Sequence, residues 1–186
     1  MERKERGLRF FDFKTAINFI YPDIKKIEEL NDLLIIDIDG VLLKLDIKTF
    51  LRGLYLLLFN KKKFKEYLKD KKIPLSCLLK IKRLVNKGAK IILLTSRYLN
   101  KDRDYFPFIS EKTKEKFKKA GIDIISLQKY KIELKIPEEI LDAIKEKDRV
   151  FYLGSGIFDK RLFKRLKNEI KDKKMDYFDI GFAKII

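Results

Sequence analysis

The sequence predicts an α/β protein in which a mainly parallel sheet is covered by helices on both faces. Three observations lead there. Short apolar runs alternate with segments of helical spacing along the chain. Runs such as LLIID at 33–37 and KIILLT at 90–95 are continuous rather than alternating, as strands buried on both faces require. The first run ends in a carboxylate, Asp37, with Asp39 two positions on and Gly40 supplying a turn. A buried, unpaired carboxylate is costly, so this pair belongs at an open strand end, beside a cation, or both.

The elements follow in order. Residues 13–30 have amphipathic spacing interrupted by Pro22. Such a face can rest on a membrane surface, but packing against the domain is the expected use. LLIID is the first strand, and from 47 to 72 the pattern turns helical, with a basic break at 60–63. Pro74 opens a helix through Asn86, with Leu75, Leu78, Leu79 and Val85 expected on its inner side and Gly88 as its stop. KIILLT is the second strand, and a polar loop with Pro107 leads to a helix near 111–120 that ends at Gly121. IDIIS at 122–126 is the third strand. Pro137 starts a helix whose first turn carries Glu138 and Glu139, suited to the positive end of the helix dipole. RVFYL at 149–153 is the fourth strand, GSGIFD turns into a basic helix over 159–173, and FDIGFAKI at 178–185 reads as a fifth strand.

A chain of 186 residues with 46% hydrophobic content makes one domain, 1–186, with a sizeable core. Lys and Arg outnumber Asp and Glu by 45 to 28, giving +17. That excess suits a nucleic-acid binder. The lysines are spread over the whole chain, however, which favours a composition of the heat-adapted kind, and no specific nucleic-acid partner is expected. The charge still attracts anionic small molecules. With no histidine, Ser-His-Asp and Cys-His catalysis and His-ligated zinc are excluded. The single Cys77 excludes an internal disulfide and fits a reducing cytoplasm, where it serves as a small buried thiol on a helix. No apolar run is long enough to span a bilayer, and the basic N-terminus is not followed by a signal-peptide core.

Ligands of parallel sheets bind beyond the carboxyl ends of the strands. Asp37 with Asp39, Thr95 with Ser96, and the GSGIFD turn should therefore meet on one edge. Two carboxylates one residue apart can divide labour, Asp37 attacking an electrophile and Asp39 moving a proton. A hard divalent cation, naturally Mg²⁺, would be held by carboxylate and carbonyl oxygens. Thr95 offers a hydroxyl and nearby backbone N–H groups to a phosphate oxygen, and a lysine would neutralise phosphoryl charge. Each feature also has a plainer use. The carboxylates can cap a turn, Thr95 and Ser96 can simply end a strand, Arg97 can be an exposed loop residue, and Gly154 and Gly156 can simply permit a tight turn.

DIDGV at 37–41 resembles the first motif of the haloacid dehalogenase-like hydrolases, a DxDGT/V pattern after an apolar strand. IILLTSR at 91–97 is similar to their second motif, KIPEEIL at 135–141 to their third, a lysine ahead of a helix, and YLGSGIFD at 152–159 to their fourth, usually GDxxxD. In order, these motifs cover residues 33–159. The resemblance implies a Rossmann-like core and Mg²⁺-dependent hydrolysis of a small phosphomonoester through an aspartyl-phosphate. It makes Asp37 nucleophile and metal ligand, Asp39 acid/base and donor of a carbonyl to the metal, and Thr95, with Ser96 beside it, the phosphate binder. Lys135 is the third-motif lysine, with Lys131 and Lys129 as competitors, and Asp159 is a further metal ligand.

The chain departs from the pattern at Ser155, where the family commonly has an acidic metal ligand. A neutral hydroxyl is a poor replacement for a carboxylate on Mg²⁺, so weakened metal binding or lost catalysis is the alternative: a phosphoanion-binding or regulatory protein of the same fold. On that view Ser155→Asp should tighten Mg²⁺ binding and Ser155→Ala should change little. A phosphatase for nucleic-acid ends is a third possibility, motivated by the +17 charge. Residues 44–72 fit a small helical cap, with Leu54, Leu57 and Phe59 over the site and Arg52 or the lysines at 61–63 recruiting an anion, or equally a hairpin packed on the core. Substrate identity and oligomeric state are not readable from the chain.

Overall fold

The computed structural model describes residues 8–10, 12–42, 75–95, 117–127 and 136–180, with Tyr55, Phe59, Asn60, Lys63 and Glu115. Among the described residues, six strands form one sheet: β1 (Leu8–Phe10), β2 (Asp32–Asp37), β3 (Lys90–Thr95), β4 (Ile122–Ser126), β5 (Arg149–Gly154) and β6 (Lys174–Ile180). Their order is β1-β6-β5-β2-β3-β4, and every neighbouring pair is parallel. Among the described residues, helices α1 (Phe13–Ile20), α2 (Leu75–Asn86), α3 (Glu138–Lys145) and α4 (Ile157–Glu169) lie between strands. This is the Rossmann-like sheet expected, with both faces covered.

The strand residues sort by parity into two cores. Leu34, Ile36, Ile91, Leu93, Phe151 and Leu153 pack with Ala16 and Ile17 of α1 and Ile81 and Leu84 of α2. Their neighbours Leu33, Ile35, Ile92, Leu94, Val150 and Tyr152 point the other way, onto Ile140 and Ile144 of α3 and Leu162 and Leu166 of α4. Continuous apolar runs are the direct result, since neither face of a central strand meets water.

Helix ends obey local chemistry. Asp12 caps α1 by accepting from the Thr15 N–H at 2.8 Å, and α1 stops at Ile20, two residues before Pro22. Its buried face, Phe13, Ala16 and Ile17, is spent on the core as expected. Glu138 and Glu139 lie in the first turn of α3 and Lys145 in its last, each favourable to the helix dipole.

The structure corrects four expectations. Val85 of α2 packs against the core as expected, but Leu79 is 49% exposed and the buried residues are Cys77, Ile81 and Leu84, so the apolar stripe is rotated from the one expected. The last strand begins at Lys174, not Phe178. The basic helix begins at Ile157 rather than 159 and ends at Glu169. The short edge strand β1 was not expected at all. No helix among the described residues is long and apolar enough to cross a membrane. The proposed cap at 44–72 lies outside the described residues except for Tyr55, Phe59, Asn60 and Lys63; the Tyr55 and Phe59 rings are exposed, with centroids 5.0 Å apart.

Candidate functional site

Because β2, β3 and β5 run parallel side by side, their carboxyl ends share an edge. From β2 the chain continues to β3 and then β4, whereas β5 leads to β6 on the other side. The connections of neighbouring β2 and β5 therefore part, and the crevice at such a switch point is where open α/β sheets take ligands. Asp37 ends β2, Thr95 ends β3, and Ser155 follows the last residue of β5.

Asp37 is 8% exposed. Its Oδ1 accepts a hydrogen bond from the Asp39 N–H at 3.3 Å, and its Oδ2 lies 3.1 Å from Ser155 Oγ. The same Ser155 Oγ lies 2.9 Å from the carbonyl oxygen of Asp39. Thr95, buried to 1% exposure, donates its hydroxyl to Asp39 Oδ2 at 3.3 Å. The structure thus brings Asp37, Asp39 and Thr95 together. Ser96 and Lys135, with Lys131, Lys129 and Arg97, lie outside the described residues.

Asp159 belongs to the same neighbourhood but is turned to the turn and the core. It occupies the first turn of α4, where Oδ2 accepts from the Ser155 backbone N–H at 2.7 Å and Oδ1 accepts from the buried Tyr152 hydroxyl at 3.0 Å. A first-turn carboxylate reaching back to an N–H before the helix is the logic of a capping box, and here it fixes where Ser155 points.

Two glycines make the close approach possible. Gly40 has φ +101°, a left-handed conformation that disfavours side chains, and a Cβ there would collide with the Ser155 hydroxyl. A Cβ on Gly154 would strike the side chains of Asp159 and Tyr152.

Burial pushes the Asp37 carboxyl well above the ordinary carboxylate range, and the negative charges of Asp159 and then Asp39 push it further; hydrogen bonds from Ser155 and the Asp39 N–H oppose the shift. Burial, with Asp159 and Asp37 nearby, also keeps the Tyr152 hydroxyl protonated, so it serves Asp159 as a donor. The Tyr177 hydroxyl, beside the Tyr152 ring, is buried and has no hydrogen-bond partner among the described residues.

Among the described residues, no three His, Cys, Asp or Glu side chains cluster closely enough to hold a metal ion. The oxygens that do converge are of mixed kind: Asp37 Oδ2, the Asp39 carbonyl and Ser155 Oγ. All are hard donors, the chemistry that Mg²⁺ accepts, so these residues fit such an ion. Sequence reasoning missed two participants. The Tyr152 hydroxyl had no signal beyond strand parity, and Ser155 was read only as a missing carboxylate.

No family model, no curated protein and no solved structure matches the chain.

Proposed function

We propose that the chain is a phosphoryl-transfer hydrolase of the haloacid dehalogenase-like kind, acting on a small phosphomonoester, with Asp37 as nucleophile and Asp39 as general acid and base. One observation carries the reading: Asp37 and Asp39 sit at the switch point of a parallel sheet, with Thr95 hydrogen-bonded to Asp39 at 3.3 Å. Asp37 Oδ2 stands among the Ser155 and Asp39 oxygens, which leaves Oδ1, engaged among the described residues by the Asp39 N–H, as the attacking atom.

Asp37 Oδ1 forms a bond to phosphorus while the ester P–O bond breaks, and the leaving alkoxide takes a proton from Asp39. The Asp39 carboxylate then takes a proton from a water molecule. That water's oxygen attacks the phosphorus of the aspartyl-phosphate, the P–Oδ1 bond breaks, and inorganic phosphate leaves with Asp37 a carboxylate again. The Thr95 hydroxyl orients Asp39 for both transfers. The backbone beyond β3, at Ser96, is assigned to the phosphate oxygens, and Lys135 to the phosphoryl charge. Asp37 must ionise to attack, so positive charge has to reach it. Mg²⁺ held by Asp37, the Asp39 carbonyl and the Ser155–Asp159 turn would favour the carboxylate and offset phosphoryl charge.

The test is turnover of an aryl phosphate with and without Mg²⁺, then a panel of phosphorylated metabolites. Metal-dependent turnover that disappears in Asp37→Asn supports the reading. Ser155 in place of an acidic ligand favours a second reading, a phosphoanion-binding protein without catalysis. Saturable phosphate binding with no turnover on any substrate would select that one.

A further inference from the structure

Lysines spread evenly along a chain need not be spread evenly over its surface. Helices α3 and α4 cover the same face of the sheet. On α3 the exposed charges are Glu138, Glu139 and Asp142 against Lys145, which is itself paired with Asp142 at 3.1 Å. On α4 the balance is reversed: residues 160–168 hold five cations and no acid. Leu162 and Leu166 are packed into the core and fix the rotation of the helix. Arg161, Lys164 and Arg165, at spacings of three and four, are therefore exposed on one outward face. Lys160 and Lys167 flank them, and Lys160 is tied to Asp179 at 2.8 Å.

This basic stripe starts at the candidate site. The first turn of α4 carries Asp159, whose Oδ2 holds the Ser155 N–H at 2.7 Å, and Arg161 follows two positions later. The same turn exposes two large apolar side chains, Ile157 and Phe158. Phe158 lies three positions before Arg161, on its side of the helix. A row of cations with an aromatic ring at one end suits a single strand of nucleic acid, whose phosphates need charge and whose unstacked bases need a flat apolar partner. An acidic peptide would use the cations but not the ring. The acidic surface of α3 repels a polyanion and keeps it on α4.

We infer that the outer face of α4 is a track for single-stranded nucleic acid: Arg161, Lys164 and Arg165 take backbone phosphates, Phe158 takes a base, and the strand's terminal phosphate enters the candidate site. The entry of that phosphate rests on the hydrolase reading given above, whereas the track does not. The segregation of charge between α3 and α4 stands against the expectation, drawn from evenly spread lysines, that no specific nucleic-acid partner exists.

Binding of a short labelled single-stranded DNA to the full-length chain is followed by fluorescence anisotropy over a range of salt, with chelator present. The triple variant Arg161→Gln/Lys164→Gln/Arg165→Gln should bind at least about tenfold more weakly, and its salt dependence should be shallower by about 2 on logarithmic axes, at roughly 0.7 per phosphate contact. Lys25→Gln/Lys82→Gln/Lys118→Gln removes the same charge from other exposed positions and should change affinity by no more than about twofold at moderate salt, where distant charges are screened. Phe158→Ala should cost about 5- to 150-fold, the range for losing one stacked base. Thermal melts establish that each variant is folded. The inference is overturned if the two triple variants lose affinity equally, if Phe158→Ala binds as the parent does, if polyglutamate or a DNA duplex competes as well as the single strand, or if the parent does not bind. Turnover is scored separately, with Mg²⁺. The terminal phosphate of the strand should be released with kcat/KM at least about tenfold above that of a mononucleotide, and the α4 triple variant should erase the advantage. Binding through α4 with no turnover of any substrate sinks the hydrolase reading and leaves the track intact. Turnover of strand and mononucleotide at equal kcat/KM sinks the link between track and site and leaves the hydrolase reading intact.

Discussion

Asp37 combines 8% exposure with two further carboxylates close by, so the folded, cation-free chain favours its protonated form. The sign of the consequence follows from linkage. A group whose folded value is raised contributes its stability fully below the ordinary carboxylate range and loses it as pH rises through the raised value. Near neutrality Asp37 is therefore a cost to the fold. With a chelator present, Asp37→Asn should raise the melting temperature near neutral pH by about 2–4 °C, or on the order of 1 kcal/mol. The gain should vanish in melts run below the ordinary carboxylate range; a variant that melts lower near neutrality would show that the charge is not the cost. This residue was legible from its place after an apolar strand. Ser155 was not, because its contacts are with Asp37 and Asp39, 118 and 116 positions away, and no local pattern encodes a pairing of that separation.

Among the elements, α2 shows what amphipathic spacing leaves open. Leu78, Leu79, Ile81, Leu84 and Val85 are all apolar, and more than one stripe can be drawn through them. The sheet selects the stripe of Cys77, Ile81 and Leu84 and leaves Leu79 in water. Ile81→Ala should therefore cost about 2–5 kcal/mol, whereas Leu79→Ala should stay within about 0.5 kcal/mol. Denaturant melts of the two variants check the assignment, and equal losses would restore the other stripe. The start of β6 was obscure for a related reason. Its partner β1 pairs with Phe178 to Ile180, so among the described residues 174–177 have a strand partner only in β5, and they carry exposed Lys174 and Asp176. Charge on an open edge protects it from unwanted pairing, but it also hides the strand from a search for apolar runs. Three-residue β1 is too short to carry a periodic signal at all.

At the scale of the molecule, a polar clamp closes the end of the sheet opposite the candidate site, on the face of the core that holds Tyr21 and Phe151. Asp32, at the start of β2, accepts two hydrogen bonds from the Arg149 guanidinium at 2.9 and 2.8 Å and one from the Tyr21 hydroxyl at 2.8 Å. Arg149 also lies over the Phe151 ring, 5.4 Å from its centroid. Asp32 is buried while Arg149 is 47% exposed, so solvent screens part of the pair. Arg149→Met should leave the buried charge poorly matched and cost roughly 1.5–3 kcal/mol, read as a lower denaturation midpoint at unchanged slope. An unaltered midpoint would show that Tyr21 alone suffices. The sheet and its two-sided cover were legible because burial on both faces writes itself into sequence as unbroken apolar strands. This clamp was not, because it pairs a residue of one strand with a residue 117 positions later.

The clamp also acts as an error check. β2 and β5 are each six residues long, joined by Arg149 to Asp32 where they enter the sheet and by Ser155 to Asp37 just beyond where they leave it. Sliding β5 by one residue would turn every side chain to the opposite face. Arg149 would leave Asp32, and Ser155 would leave Asp37. A misaligned chain would then carry an unmatched buried carboxylate far from the site, and so would be rejected during folding whatever its chemistry. The alignment of the candidate-site oxygens is thus inspected from the far side of the molecule.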